Sequence, residues 1–110
     1  MFTMNCSRND VVLLPIPFSD LTSSKVRPAV VIGTAPQYGD LFLVSITSRV
    51  TQGAFPLRAW RSCGLNVPSA VKSQIATVEA KLVRKVVGKL SVVDIETLDR
   101  HLREWFELAS

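Results

Sequence analysis

Three consecutive stretches, Val26–Thr34 (VRPAVVIGT), Ala35–Asp40 (APQYGD) and Leu41–Thr47 (LFLVSIT), decide how the fold is read. The outer two are short apolar runs rich in β-branched residues, and the middle one carries Pro36, Gly39 and Asp40, which favour a tight turn. The unit therefore reads as strand, turn, strand. Pro28 stands near the start of its strand, where a missing N–H is tolerable. Towards the N-terminus, Asp10–Phe18 (DVVLLPIPF) is another strand, but Pro15 and Pro17 cannot donate to a ladder, so its latter half should be an edge or a bend. The polar stretch Ser19–Lys25 (SDLTSSK) is a loop. Towards the C-terminus, Ala54–Trp60 (AFPLRAW), Ser69–Val78 and Val83–Leu90 read as strands, with a loop marked by Gly64, Asn66 and Pro68. Short strands interrupted by prolines predict a small, mainly β barrel rather than a flat sheet.

The period changes after residue 90. Ile95, Leu98, Leu102, Trp105 and Ala109 repeat every three or four positions, one face of an amphipathic helix, and Val92 and Leu108 widen that stripe. Ser91 followed by Asp94 is a capping-box-like start. The helix should pack on the barrel with its acids outward, which makes the fold α+β. We expect a single domain over residues 1–110, with the barrel over about 9–90 and the helix over about 92–108.

A chain of 110 residues that is 47% hydrophobic can bury a core, which excludes a disordered chain. Its apolar runs are too short to span a membrane, and Met1–Asp10 holds no apolar segment of signal-peptide length, so a cytoplasmic protein is expected. In that compartment Cys6 and Cys63 should be reduced. A single histidine, His101, and the lack of a CxxC pair give no zinc site and no histidine-pair catalysis, and His101 reads as a surface or boundary residue. Residues 1–90 hold eleven bases and four acids, a balance of +7, whereas residues 91–110 hold two bases and five acids, a balance of −3. A basic body with an acidic tail suggests a phosphate-bearing partner for the body.

Three segments carry candidate chemistry. In Lys25-Val26-Arg27-Pro28 a polar loop enters a strand, and Arg27 offers a planar fork suited to phosphate oxygens. On the residues alone, an arginine that simply ends a strand in solvent fits equally well. Val44-Ser45-Ile46-Thr47-Ser48-Arg49 gathers three hydroxyls and a base where an apolar strand ends, with Ser45 and Thr47 on one face. Such hydroxyls also cap backbone groups. In Phe55–Arg61, Arg58, Trp60 and Arg61 combine cations with a ring on which a base can stack, or form a core tryptophan between solvated arginines. Lys72, Lys81, Arg84, Lys85 and Lys89 read mostly as surface charge.

Taken in order, these segments resemble the MazF/PemK family of type II toxin–antitoxin toxins. Residues 9–20 (NDVVLLPIPFSD) and 25–32 (KVRPAVVI) resemble its opening, and Ser45-Ile46-Thr47-Ser48 its strand-end hydroxyl motif. Residues 64–72 (GLNVPSAVK) with 74–78 (QIATV), and 84–91 (RKVVGKLS) before a short helix, are similar to its later blocks. The resemblance implies an SH3-like barrel with a C-terminal helix, a homodimer, and cleavage of single-stranded RNA at short sequences without metal or other cofactor. It implies an antitoxin whose disordered tail occupies the RNA groove, and DNA binding by the toxin–antitoxin complex. The family's catalytic pair maps onto Arg27 and Thr47, with Lys25, Ser45, Ser48, Arg49, Arg58 and Trp60 as RNA-binding candidates. RNA supplies its own nucleophile, the 2′-OH, so alignment and charge stabilisation suffice. Asn9 stands where the family commonly has Gly, and the first loop offers Asp20, Thr22, Ser23 and Ser24 where some members have a Glu; Asp20 is the candidate proton acceptor. Thr77-Val78-Glu79 stands where many members have Asp as the acid. Two other functions fit the same fold: a non-catalytic toxin acting by protein contact, as a DNA gyrase poison does, and a member that binds RNA without cutting it.

Overall fold

The structure is a computed structural model that describes residues 5–15 and 25–109. Among the described residues six strands, β1 (Asp10–Pro15), β2 (Val26–Ala35), β3 (Asp40–Thr47), β4 (Phe55–Pro56), β5 (Ala70–Glu79) and β6 (Lys85–Lys89), precede one helix, α1 (Val92–Trp105). All pairings are antiparallel and the strand order is β4-β5-β3-β2-β1-β6. The sheet curls into a half-barrel with α1 at its C-terminal end. Residues 16–18 of the strand expected at 10–18, Pro17 among them, lie outside the described residues, as does Asp20.

Both faces of the sheet's centre are buried, which is why β1, β2 and β3 read as near-continuous apolar runs. Val11, Val30, Val44, Ile46 and Val71 form one core with Leu98 and Leu102 of α1. Val12, Leu14, Ala29, Val31, Leu41 and Leu43 form a second on the other face. Cys63 packs in the first core and Cys6 against the second, so the two free thiols belong to different cores. Burial, with a smaller push from the Asp94 carboxylate, raises the Cys63 thiol above its ordinary pKa.

The strand expected at 54–60 is only two residues long. Pro56 has no N–H to extend the ladder, and the chain turns over residues 58–64. The carboxylate of Asp94 holds that turn, accepting from Arg58 N (2.8 Å), Ala59 N (3.0 Å) and Ser91 Oγ (3.2 Å). Ser91 Oγ in turn accepts from Asp94 N at 3.3 Å, the cap that the sequence announced. Asp94 is therefore 1% exposed and faces inward, contrary to the expectation that the helix acids all face out.

The turn also spans the open side of the half-barrel. A Cβ on Gly64 (φ +91°) would collide with the Val87 carbonyl, and one on Gly88 with the Cys63 carbonyl. Backbone thus lies directly on backbone between this turn and edge strand β6, where β6 bulges between Gly88 and Val86.

Helix α1 stops at Trp105, three residues short of the expected end. Leu108 N donates to Arg103 O (2.9 Å) and Glu107 N to Glu104 O (3.2 Å), the paired bonds of a Schellman stop, with Glu107 left-handed at φ +55°. Val92 and Leu108 are 71% and 62% exposed and do not widen the buried stripe, and Ala109 lies beyond the helix. Asn9 is likewise left-handed, at φ +76°. Its N–H donates to Val31 O and its carbonyl accepts from Leu90 N, while its buried Oδ1 has no partner. Glycine relieves the left-handed strain at either position and, at residue 9, removes the orphaned oxygen, at the cost of a more flexible unfolded chain. Asn9→Gly and Glu107→Gly should each stabilise the protein by about 1 kcal/mol in urea unfolding.

Candidate nucleic-acid interface

Because the strands are antiparallel, the end of β3 and the starts of β2, β5 and β6 meet at one end of the sheet, beside the end of β1. The ladder between β2 and β3 reaches Ala29 opposite Ser45. Two residues further along each strand, at the same end, stand Arg27 and Thr47. They border two adjoining cavities. The first, about 560 Å³, also takes in Leu13, Pro28, Ile46, Ser48, Arg49, Ser69, Lys85, Val87 and the loop residues Gly64–Val67. The second, about 320 Å³, takes in Ser45, Ile46, Arg49, Gln52, Lys72 and Gln74.

Local chemistry shapes this rim. Thr47 Oγ1 accepts from Arg49 N at 3.0 Å, which folds the chain back after β3 and leaves the hydroxyl proton free to donate elsewhere. Arg49 thereby reaches both cavities. Against Ser45 of β3, strand β5 spends three residues, Lys72–Gln74, and both Lys72 and Gln74 border the second cavity. Ser69, buried beside the first cavity, donates to Val67 O at 2.9 Å and steadies the loop that forms its wall. Among the described residues bordering either cavity there are four cations, Arg27, Arg49, Lys72 and Lys85, and no carboxylate.

Of the residues singled out by sequence, Arg27, Thr47, Ser45, Ser48 and Arg49 come together here. Lys25 is exposed just before β2 and borders neither cavity. Arg58 and Trp60 lie away from it. Arg58 borders a separate depression with Val93 and Arg100 of α1, and Trp60 packs half-buried on the core with the Arg61 guanidinium 4.9 Å from its ring centre. His101 is a packing residue at the core boundary, stacked 4.4 Å from Phe55, its Nδ1–H donating to Thr97 O at 2.9 Å. Sequence reading missed Lys72, Lys85, Gln52 and the role of Asn66 in the loop wall. Antiparallel pairing held the signal, since Lys72 lies near the start of β5 and Lys85 begins β6, and both strands start at Arg27's end of the sheet.

Among the described residues no helix is long and apolar enough to cross a membrane, and no three His, Cys, Asp or Glu side chains are gathered as a metal site would need. No curated protein matches the chain significantly. Among solved structures it is similar to the Mycobacterium tuberculosis toxin MazF-mt6, with a TM-score of 0.71 and 20% identity, covering 92% of this chain and 99% of that one. That likeness speaks to the fold. The family model for the PemK-like, MazF-like toxins of type II toxin–antitoxin systems matches residues 7–106, nearly the whole chain. The chain belongs to that family.

Proposed function

We propose that the protein is a sequence-specific endoribonuclease of the cytoplasm that cuts single-stranded RNA by attack of the substrate's own 2′-OH. The products are a 2′,3′-cyclic phosphate and a 5′-OH. The observation that carries the reading is the convergence of Arg27 and Thr47 on the wall shared by two cavities bordered by cations and, among the described residues, by no carboxylate. A phosphodiester drawn to that wall meets the Arg27 fork, which stabilises the charge that builds on phosphorus-bound oxygen as the 2′-oxygen adds. Thr47, its acceptor side occupied by Arg49 N, points its proton at a non-bridging oxygen and holds the group for in-line attack. Arg27 also protonates the departing 5′-oxygen, and Asp20 takes the 2′-proton. Arg49, Ser45 and Ser48 bind around the reacting phosphate, and Lys25, just before β2, contacts RNA farther along the strand.

The active species is a homodimer, and an antitoxin tail lying over the same cavities silences it, which suits an acidic segment against this cationic rim. The purified protein should cut a long single-stranded RNA in excess EDTA at recurring short sequences, with the cyclic ends read by their resistance to ligation until opened. Intact RNA would defeat the proposal, and intact RNA with broken DNA in arrested cells would favour the gyrase-poison alternative.

A further inference from the structure

Across the end of the sheet that carries Arg27, the order of elements is β5, β3, β2, β1, β6. This sets out the cations of the site in a row. Lys72 on β5 lies two strands from Arg27 on one side, and Lys85 on β6 lies two strands from it on the other. At about 4.8 Å between strands, each lysine starts roughly 10 Å of sheet away from Arg27. The cavities divide them in the same way. Arg27, Thr47 and Arg49 border both, Lys72 only the second, and Lys85 only the first. Neither lysine makes an ion pair among the described residues, whereas Lys81 pairs with Glu79 and Lys89 with Asp10.

We propose that single-stranded RNA crosses this end of the sheet at right angles to the strands, with Lys72 and Lys85 as positioning residues for the phosphates on either side of the one held at Arg27. The proposal rests on the ribonuclease reading for the identity of the central phosphate, and adds the direction of the track and its two flanking stations. Held on both sides of Arg27, the chain cannot slide along its own axis, which sets the scissile bond in register with Arg27 and Thr47. The first cavity, walled by Leu65, Val67 and Val87, is apolar enough to take the base on the Lys85 side, and Asn66 can pair with its edge. The second presents Gln52 and Gln74 amides to the nucleotide on the Lys72 side.

The test is equilibrium binding of the full chain to a short fluorescent single-stranded RNA of mixed sequence built from 2′-O-methyl nucleotides, which cannot be cut. The dissociation constant is followed against salt. A cation on a phosphate of a single strand contributes about 0.7 to the log–log slope. Lys72→Gln and Lys85→Gln should each lower the slope by about 0.7 and weaken binding roughly fivefold at 0.1 M salt, with the losses adding in the double variant. Lys72→Arg and Lys85→Arg should restore the slope, which a merely structural role would not do, and Lys81→Gln should leave it unchanged. Unchanged slopes in both glutamine variants, with wild-type RNA cleavage intact, overturn the track and leave the nuclease standing. The expected slope changes in a protein that never cuts RNA keep the track and defeat the nuclease. A wild-type protein that does not bind the probe overturns both.

Discussion

Arg27→Ala is expected to lower the rate of RNA cleavage by about 10²–10³-fold while leaving thermal stability unchanged. The side chain is exposed at the start of β2, makes no ion pair among the described residues and contributes nothing to either core, so its removal leaves the fold alone. What is lost is a charge placed where the phosphorane-like transition state gains its own, an interaction stronger there than in the ground state. The deficit should therefore fall mainly on kcat. Arg27→Lys keeps the charge but not the two-pronged fork and should recover only part of the rate. Thr47→Val should cost less, because it removes a neutral donor rather than a charge, even though it also takes the acceptor from the Arg49 N–H. Single-turnover cleavage of an oligonucleotide carrying one mapped site provides the measurement. A rate within a few-fold of wild type for Arg27→Ala would remove the arginine from the mechanism.

Asp94→Ala is expected to destabilise the protein by about 3–5 kcal/mol, a large share of what a domain of this size possesses. The substitution strands two backbone donors, Arg58 N and Ala59 N, and takes a bond from Ser91 Oγ, all of them made to a carboxylate that is 1% exposed. Hydrogen bonds to a charged acceptor are roughly twice as strong as neutral ones. Asp94→Asn should cost less, since one amide oxygen still accepts but the NH₂ group must face a donor. Urea unfolding followed by circular dichroism separates the two variants. The effect should also reach the site, because the turn that Asp94 holds continues into Leu65, Asn66 and Val67 of the first cavity wall. A loss below 1 kcal/mol for Asp94→Ala would mean that the turn finds its bonds elsewhere.

The central hairpin was legible because its signals agree: β-branched runs on both sides of Pro36, Gly39 and Asp40 become β2 and β3 almost residue for residue. The helix start was equally clear, since Ser91 and Asp94 stand at cap spacing. Its end was not. The chain stops in a Schellman motif with Glu107 in the position that glycine usually signals, so periodicity alone ran on to residue 108. The short β4 was illegible for a different reason. The group that turns the chain after Pro56 is Asp94, 35 and 36 residues away from the amides it holds, and no local pattern announces such a partner.

The same division holds for the site. Arg27 and Thr47 could be singled out because each stands where a strand meets polar sequence. Arg58 and Trp60 looked alike to Arg49 in composition, yet the Asp94 capture carries them to the helix side. Lys72 and Lys85 looked like surface charge, and only the strand order sets them on either side of Arg27. Sequence names the chemical types, and pairing order decides which of them share a wall.

The measurement closest to the central claim uses one mapped cleavage site and two synthetic substrates. In one, the nucleotide whose 2′-OH would attack is replaced by its 2′-deoxy form; in the other, a nucleotide elsewhere in the same RNA is replaced. Chemistry driven by the substrate's own hydroxyl predicts no cut at the site in the first substrate and normal cutting in the second, in excess EDTA. Equal cutting of both would require a different nucleophile, and the reading of Arg27 and Thr47 as the clamp for 2′-OH attack would be wrong.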